Sequence, residues 1–127
     1  MRRGAALVAL LLLVGCGSSD TSIKRDLVRG VAQIRSTHDA KTLRTELRRT
    51  LASLRRDGPS TPAERRARRL GLAGFEATLR GVQSRIDFTD NDSGNVAAAT
   101  RDAVRADRNL ARGARLLRAA RRALEGR

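Results

Sequence analysis

Among its 127 residues the chain has one cysteine, one histidine, two phenylalanines, and no tryptophan or tyrosine. Each shortage excludes something. A lone thiol, Cys16, cannot close a disulfide within the chain. With Phe75 and Phe88 as the only rings, a core has to be built from Leu, Val, Ile and Ala. One histidine, His38, supplies no metal set and no base beside a nucleophile. Acids are scarce as well: 13 Asp and Glu stand against 27 Lys and Arg, a formal net charge of +14. A GC-rich genome would account for arginine over lysine, but not for missing acids, so the positive field needs its own explanation. No stretch alternates with the period of a strand.

What remains is Leu, Ala and Arg, all good helix formers. From about Asp20 to Arg56, two apolar sets each follow spacings of four, four and three: Ile23, Leu27, Val31, Ile34, then Leu43, Leu47, Leu51, Leu54. Each is one stripe of a helix. The nine-residue step from Ile34 to Leu43 puts them about half a turn out of phase. A straight helix would bury opposite faces in its two halves. A break or kink is therefore expected near residues 36–39, with Ser36 or Thr37 capping the second half; the alternative is one long helix whose first part meets another neighbour. Gly58-Pro59 ends the element.

Thr61-Pro62-Ala63-Glu64 carries a capping threonine, proline at the first helical position and glutamate at the third, a capping box. Leu72, Phe75, Leu79, Val82 and Ile86 follow as a heptad seam, with Ala67, Gly71, Gly74 and Gly81 on a separate small-residue strip. "TDNDSGN" (89–95) reads as a turn with a helix cap; as a calcium loop it lacks carboxylates and the closing glutamate. From about Asn95 to Glu125, Val96, Ala103, Leu110, Leu117 and Leu124 recur every seven residues. Ala99, Ala106, Gly113 and Ala120 follow three behind, so large and small residues alternate along one seam. The expected fold is all-α: an antiparallel three-helix bundle with the first helix broken or kinked near 36–39.

At the N-terminus, Met1-Arg2-Arg3 precedes a ten-residue apolar run, Ala5 to Val14, half the length of a spanning helix. Leu13-Val14-Gly15-Cys16 resembles the lipobox of bacterial lipoproteins, and residues 1–16 together resemble their signal peptide. The resemblance implies that the chain is cut before Cys16 and that this sulfur carries a diacylglyceryl group, a lipid anchor on the extracytoplasmic face of the cell membrane. Two acyl chains hold a protein stably where one does not. The expected organisation is a signal peptide (1–15), a lipidated cysteine with a flexible tether (16–22) and a helical domain (23–126). Removing Arg2 and Arg3 but no acid takes the formal +14 to about +12.

Catalytic groups are missing. The serines lie mostly in tether or loops, the acids are scattered, and no strand leads into a phosphate-binding loop. No enzyme, cofactor or metal is expected. The basic residues form patterns instead. Arg101, Arg105, Arg108, Arg112 and Arg115 are spaced four, three, four and three, and Arg122 extends the ladder roughly opposite the apolar seam. Arg44, Arg48 and Arg55 make a shorter stripe, and Arg65, Arg66, Arg68 and Arg69 a cluster. A solvated face is the plain reading of such charge. The sharper one is contact with anionic lipids, acidic envelope polymers or an envelope protein. Nucleic acid is not expected, because both rings belong to apolar patterns and leave no stacking platform. The chain thus reads as a non-catalytic binding or scaffolding module. The alternatives are a purely structural spacer or a subunit of an envelope complex docked along the Ala67/Gly71/Gly74 strip.

Overall fold

The structure, a computed structural model, describes residues 21–91 and 94–126. Among these residues there are four helices and no strand: α1 (Ser22–Ser36), α2 (Ala40–Arg56), α3 (Pro62–Thr89) and α4 (Val96–Leu124). The expected signal peptide (1–15), Cys16 and residues 17–20 of the expected tether lie outside the described residues. The tether is not free through residue 22, because α1 starts there, with the Thr21 hydroxyl accepting from the Lys24 amide (3.2 Å).

The expected first helix is two helices, and the break is a full reversal. Three hydrogen bonds give the direction. Thr37 Oγ1 donates to Glu46 Oε2 (2.9 Å), Thr50 Oγ1 to Gln33 Oε1 (2.8 Å) and Ser53 Oγ to Asp26 Oδ2 (2.7 Å). Early residues of α1 thus face late residues of α2, an antiparallel hairpin turned by Thr37, His38 and Asp39. The half-turn phase step has its explanation here: after the reversal both apolar stripes face one core. The cap is Asp39, not Ser36 or Thr37. Its carboxylate accepts from the Thr42 hydroxyl (2.6 Å) and amide (2.8 Å), and these bonds hold its pKa below the usual aspartate value. Ser36 instead turns its hydroxyl back to the Ala32 carbonyl.

The capping box at Thr61 forms as expected. Glu64 accepts from the Thr61 amide while its own amide donates to Thr61 Oγ1. α3 then runs antiparallel to α2, tied by Arg44 to Gln83 (2.9 Å) and Arg55 to Glu76 (3.1 Å). At 28 residues α3 is about 42 Å long. It returns as α4 in the most extensive helix pairing of the fold.

That pairing is set by the small residues of both helices. The backbone of Leu117 lies over Gly74, and that of Leu110 over Gly81, each leucine filling the place of the missing Cβ. Gly113 answers from the other side against Thr78. The small-residue strip is therefore spent inside the fold. Ala67, Gly71, Gly74 and Gly81 are all buried, Gly71 beneath Leu27 and Leu54, so the strip offers no groove for an outside partner. The seam of α4 frays toward its start: Leu117 is buried and Leu110 and Leu124 pack on the core, but Val96 is 77% exposed. One turn at the end of a long hairpin has too little facing surface to cover it.

Gly113→Ala tests the interlock by sign. Alanine gains up to about 1 kcal/mol over glycine in an open helix. Here the new Cβ would meet the Gly74 carbonyl oxygen at 2.9 Å and the Thr78 nitrogen at 3.0 Å, both backbone atoms that cannot swing aside. Overpacking costs about 1–3 kcal/mol, so urea unfolding should show a net loss. A gain would mean the two backbones are not in contact there.

Candidate functional site

The structure sorts the three basic sets. In the short stripe of α2, Arg44 and Arg55 are engaged by Gln83 and Glu76 of α3, leaving Arg48 to solvent. In the α3 cluster, Arg68 donates to the Leu54 (3.1 Å) and Arg55 (2.6 Å) carbonyls at the C-terminal end of α2. That guanidinium closes off a helix end whose carbonyls carry partial negative charge. Arg65, Arg66 and Arg69 remain exposed.

The ladder of α4 differs. Arg101, Arg105, Arg108, Arg112, Arg115 and Arg122 are all exposed, and none forms an ion pair with a described residue. Asp102 is half-buried and Asp107 exposed, and neither neutralises a ladder arginine. The face exists because α4 buries only its opposite side, along Ala106, Gly113, Leu117 and Ala120. From Arg101 to Arg122 it spans about 32 Å, parallel to the long axis. Arg118 is a further exposed member that spacing from Arg115 would have found, whereas Arg121 is paired with Glu125 at 3.2 Å.

Near the start of the ladder, Thr100, Arg101, Val104, Arg105, Arg108 and Asn109 line a shallow, open depression of about 380 Å³. Val104 is 44% exposed among these guanidinium groups. Apolar surface beside unpaired cations suits an interface that offers both negative charge and hydrocarbon. Phe88 and Val96 are also exposed, at the α3–α4 turn. The expectation that both rings belong to apolar patterns and leave no exposed stacking platform therefore holds for Phe75 only.

His38 is exposed at the α1–α2 turn, and Asn95 caps α4 by accepting from the Ala98 amide (3.1 Å). Asp90 stands at the end of α3 against Lys41 (3.4 Å). Part of the weighed calcium loop, residues 92–93, lies outside the described residues. Among those described, no group of three or more His, Cys, Asp or Glu is placed to hold a metal ion. No described helix is long and apolar enough to cross a membrane.

One polar cluster escaped the sequence reading. Asp26 is only 4% exposed; it accepts from Ser53 and pairs with Arg29 at 3.4 Å. Beside it, Asp57 has a buried Oδ2 with no hydrogen-bond partner. Burial, reinforced by the neighbouring Asp26 carboxyl, pushes the Asp57 pKa up to about 6, against weaker pulls from Ser22 and Arg25. The available signal was spacing: Asp26 follows Ile23 by three and precedes Gly30 by four, on the flank of the buried stripe.

Compared with family models, curated proteins and solved structures, the chain matches none.

Proposed function

We propose that this chain is a lipid-anchored, extracytoplasmic helical module that acts by binding or scaffolding rather than by catalysis, and that its working surface is the arginine ladder of α4 laid against an anionic membrane. The observation that carries the reading is the ladder's exposure without counter-charge. Arg44, Arg55 and Arg68 are tied to neighbouring helices, and the free arginines of α2 and α3 stand singly or in short groups, whereas these six form one continuous stripe along a single helix and serve no contact within the described fold. Like charges at i,i+4 repel by a few tenths of a kcal/mol, so the stripe costs stability that an outside anion offsets.

The topology agrees with a body lying flat. Chain directions alternate from α1 to α4, so Thr21, next to the tether, is at the same end as the C-terminus of α4. Four residues separate Cys16 from Thr21, a reach of under about 20 Å even when extended. A rod held this close at one end brings a lengthwise basic stripe within the surface field of the bilayer, where each basic side chain contributes about 1 kcal/mol. Acidic envelope polymers present the same charge and are the second class of partner for this face.

The core runs from Ile23 to Leu124, so a chain starting at Thr21 retains it whole. That chain should co-sediment with vesicles containing anionic lipid at low salt, detach at high salt, and ignore neutral vesicles. Equal indifference to both vesicle types would favour the spacer reading, in which the arginines only keep the bundle soluble.

A further inference from the structure

We propose that Asp57, when protonated, donates a hydrogen bond to Asp26, and that this bond latches the first turns of α1 to the C-terminal end of α2. Ser53 donates to Asp26, and the Asp57 amide donates to the Ser53 carbonyl one turn on, so the hairpin brings the two carboxyl groups to one place. Asp26 is buried on α1, and Asp57 is the residue that ends α2. The inner oxygen of Asp57 lacks a donor because the group beside it is another carboxyl, which offers none when both are ionised. A proton on Asp57 turns the repulsion into a hydrogen bond and satisfies that oxygen.

No described cation forms an ion pair with Asp57. Arg29 is committed to the other side of Asp26, and Arg25 and Ser22 on α1 only partly offset the repulsion. From α3, Arg68 is spent on the Leu54 and Arg55 carbonyls, and Glu64 on the Ser60 and Thr61 amides. At the same end of α4, Arg121 holds Glu125.

The direction of the pH effect follows. The Asp57 pKa is raised from 3.8 to about 6 in the folded chain. The folded state therefore binds more protons across that interval, and stability falls as pH rises. The latch is fully engaged below 3.8 and is lost as pH passes through about 6. Its position gives it a consequence, because α1 is the element that continues into the N-terminal segment. Releasing its first turns lengthens the reach between that segment and the rest of the bundle.

The test is a carbon-13 titration of the Asp57 carboxyl in the full-length chain in non-ionic micelles, with hydrogen exchange on the same sample. The wild type should titrate near 6, and Asp26→Asn should bring the midpoint back toward 3.8. Exchange in the first two turns of α1, corrected for the intrinsic rate, should be slower at pH 5 than at pH 7.5. Asp57→Asn should abolish that difference, because an amide donates to Asp26 at every pH. A wild-type midpoint at the ordinary value overturns the proposal, with or without a folded variant. So does a midpoint unmoved by Asp26→Asn, or protection of α1 that does not change with pH.

Discussion

Phe75→Ala should destabilise the chain by about 3–5 kcal/mol, the cost of truncating a fully buried ring. Phe75 is the largest side chain buried without exposure, and it joins α3 to the α1–α2 hairpin. Its ring lies on Gly30, so closely that a Cβ at that position would fall on the ring edge. No second aromatic shares the load. A small domain holds roughly 5–15 kcal/mol in all, so the variant should melt on the order of 15–25 °C lower.

Specificity of the contact is testable with a cycle. Gly30→Ala alone should destabilise by overpacking, yet cost less in the Phe75→Ala background, where the methyl enters the vacated space. Calorimetry on the four proteins gives the coupling. Additive losses, or a Phe75→Ala cost under about 1 kcal/mol, would mean the hairpin is not docked through this pair.

Replacing Arg101, Arg105, Arg108, Arg112, Arg115 and Arg122 together with Gln should leave the fold intact and remove binding to anionic vesicles. At about 1 kcal/mol for each basic side chain near an anionic surface, six amount to at most about 6 kcal/mol. That corresponds to a fall of up to roughly 10⁴-fold in the partition constant at low salt. The loss should shrink as salt rises, since screening lengths drop from about 30 Å at 0.01 M to about 10 Å at 0.1 M. Helicity should hold or improve, because glutamine propagates a helix about as well as arginine and like-charge repulsion is relieved. The matched control changes six exposed arginines off the ladder, Arg48, Arg49, Arg65, Arg66, Arg69 and Arg80, to Gln. It removes the same charge and should lower vesicle binding less. Comparable vesicle losses from the two sets would reduce the ladder to net charge.

Most of the helices were readable because leucine spacing reports which face is buried, and caps report where a helix begins. Thr61-Pro62-Ala63-Glu64 marked the start of α3 to the residue. The phase step between Ile34 and Leu43 located the α1–α2 break but not its sense. Two stripes on opposite faces describe a kinked helix and a hairpin equally well, and only the contacts from Asp26 to Ser53 and from Thr37 to Glu46 decide between them. The interlock of α4 with α3 was legible as alternating large and small residues. Its loss at Val96 was not, since periodicity does not say how far a facing helix extends.

The candidate site was legible for a similar reason. Arg101 to Arg122 follow helical spacing as plainly as the leucines do, so the ladder needed only the fold to show that no described partner claims it. Spacing is silent about rotamers, and so it did not separate Arg68, which reaches back to α2, from its solvated neighbours Arg65 and Arg69. The Asp26–Asp57 pair was hidden because its members lie 31 positions apart on two helices. An aspartate at a helix end reads as a cap until its neighbour across the hairpin is known.

The proposed role depends first on where the chain resides, and metabolic labelling decides that most directly. Cells of the native organism grown with labelled palmitate should yield this protein in the membrane fraction, labelled, and shortened to begin at Cys16. Cys16→Ala should lose both the label and the cleavage. Unlabelled, full-length chain recovered from the cytosol would contradict the account.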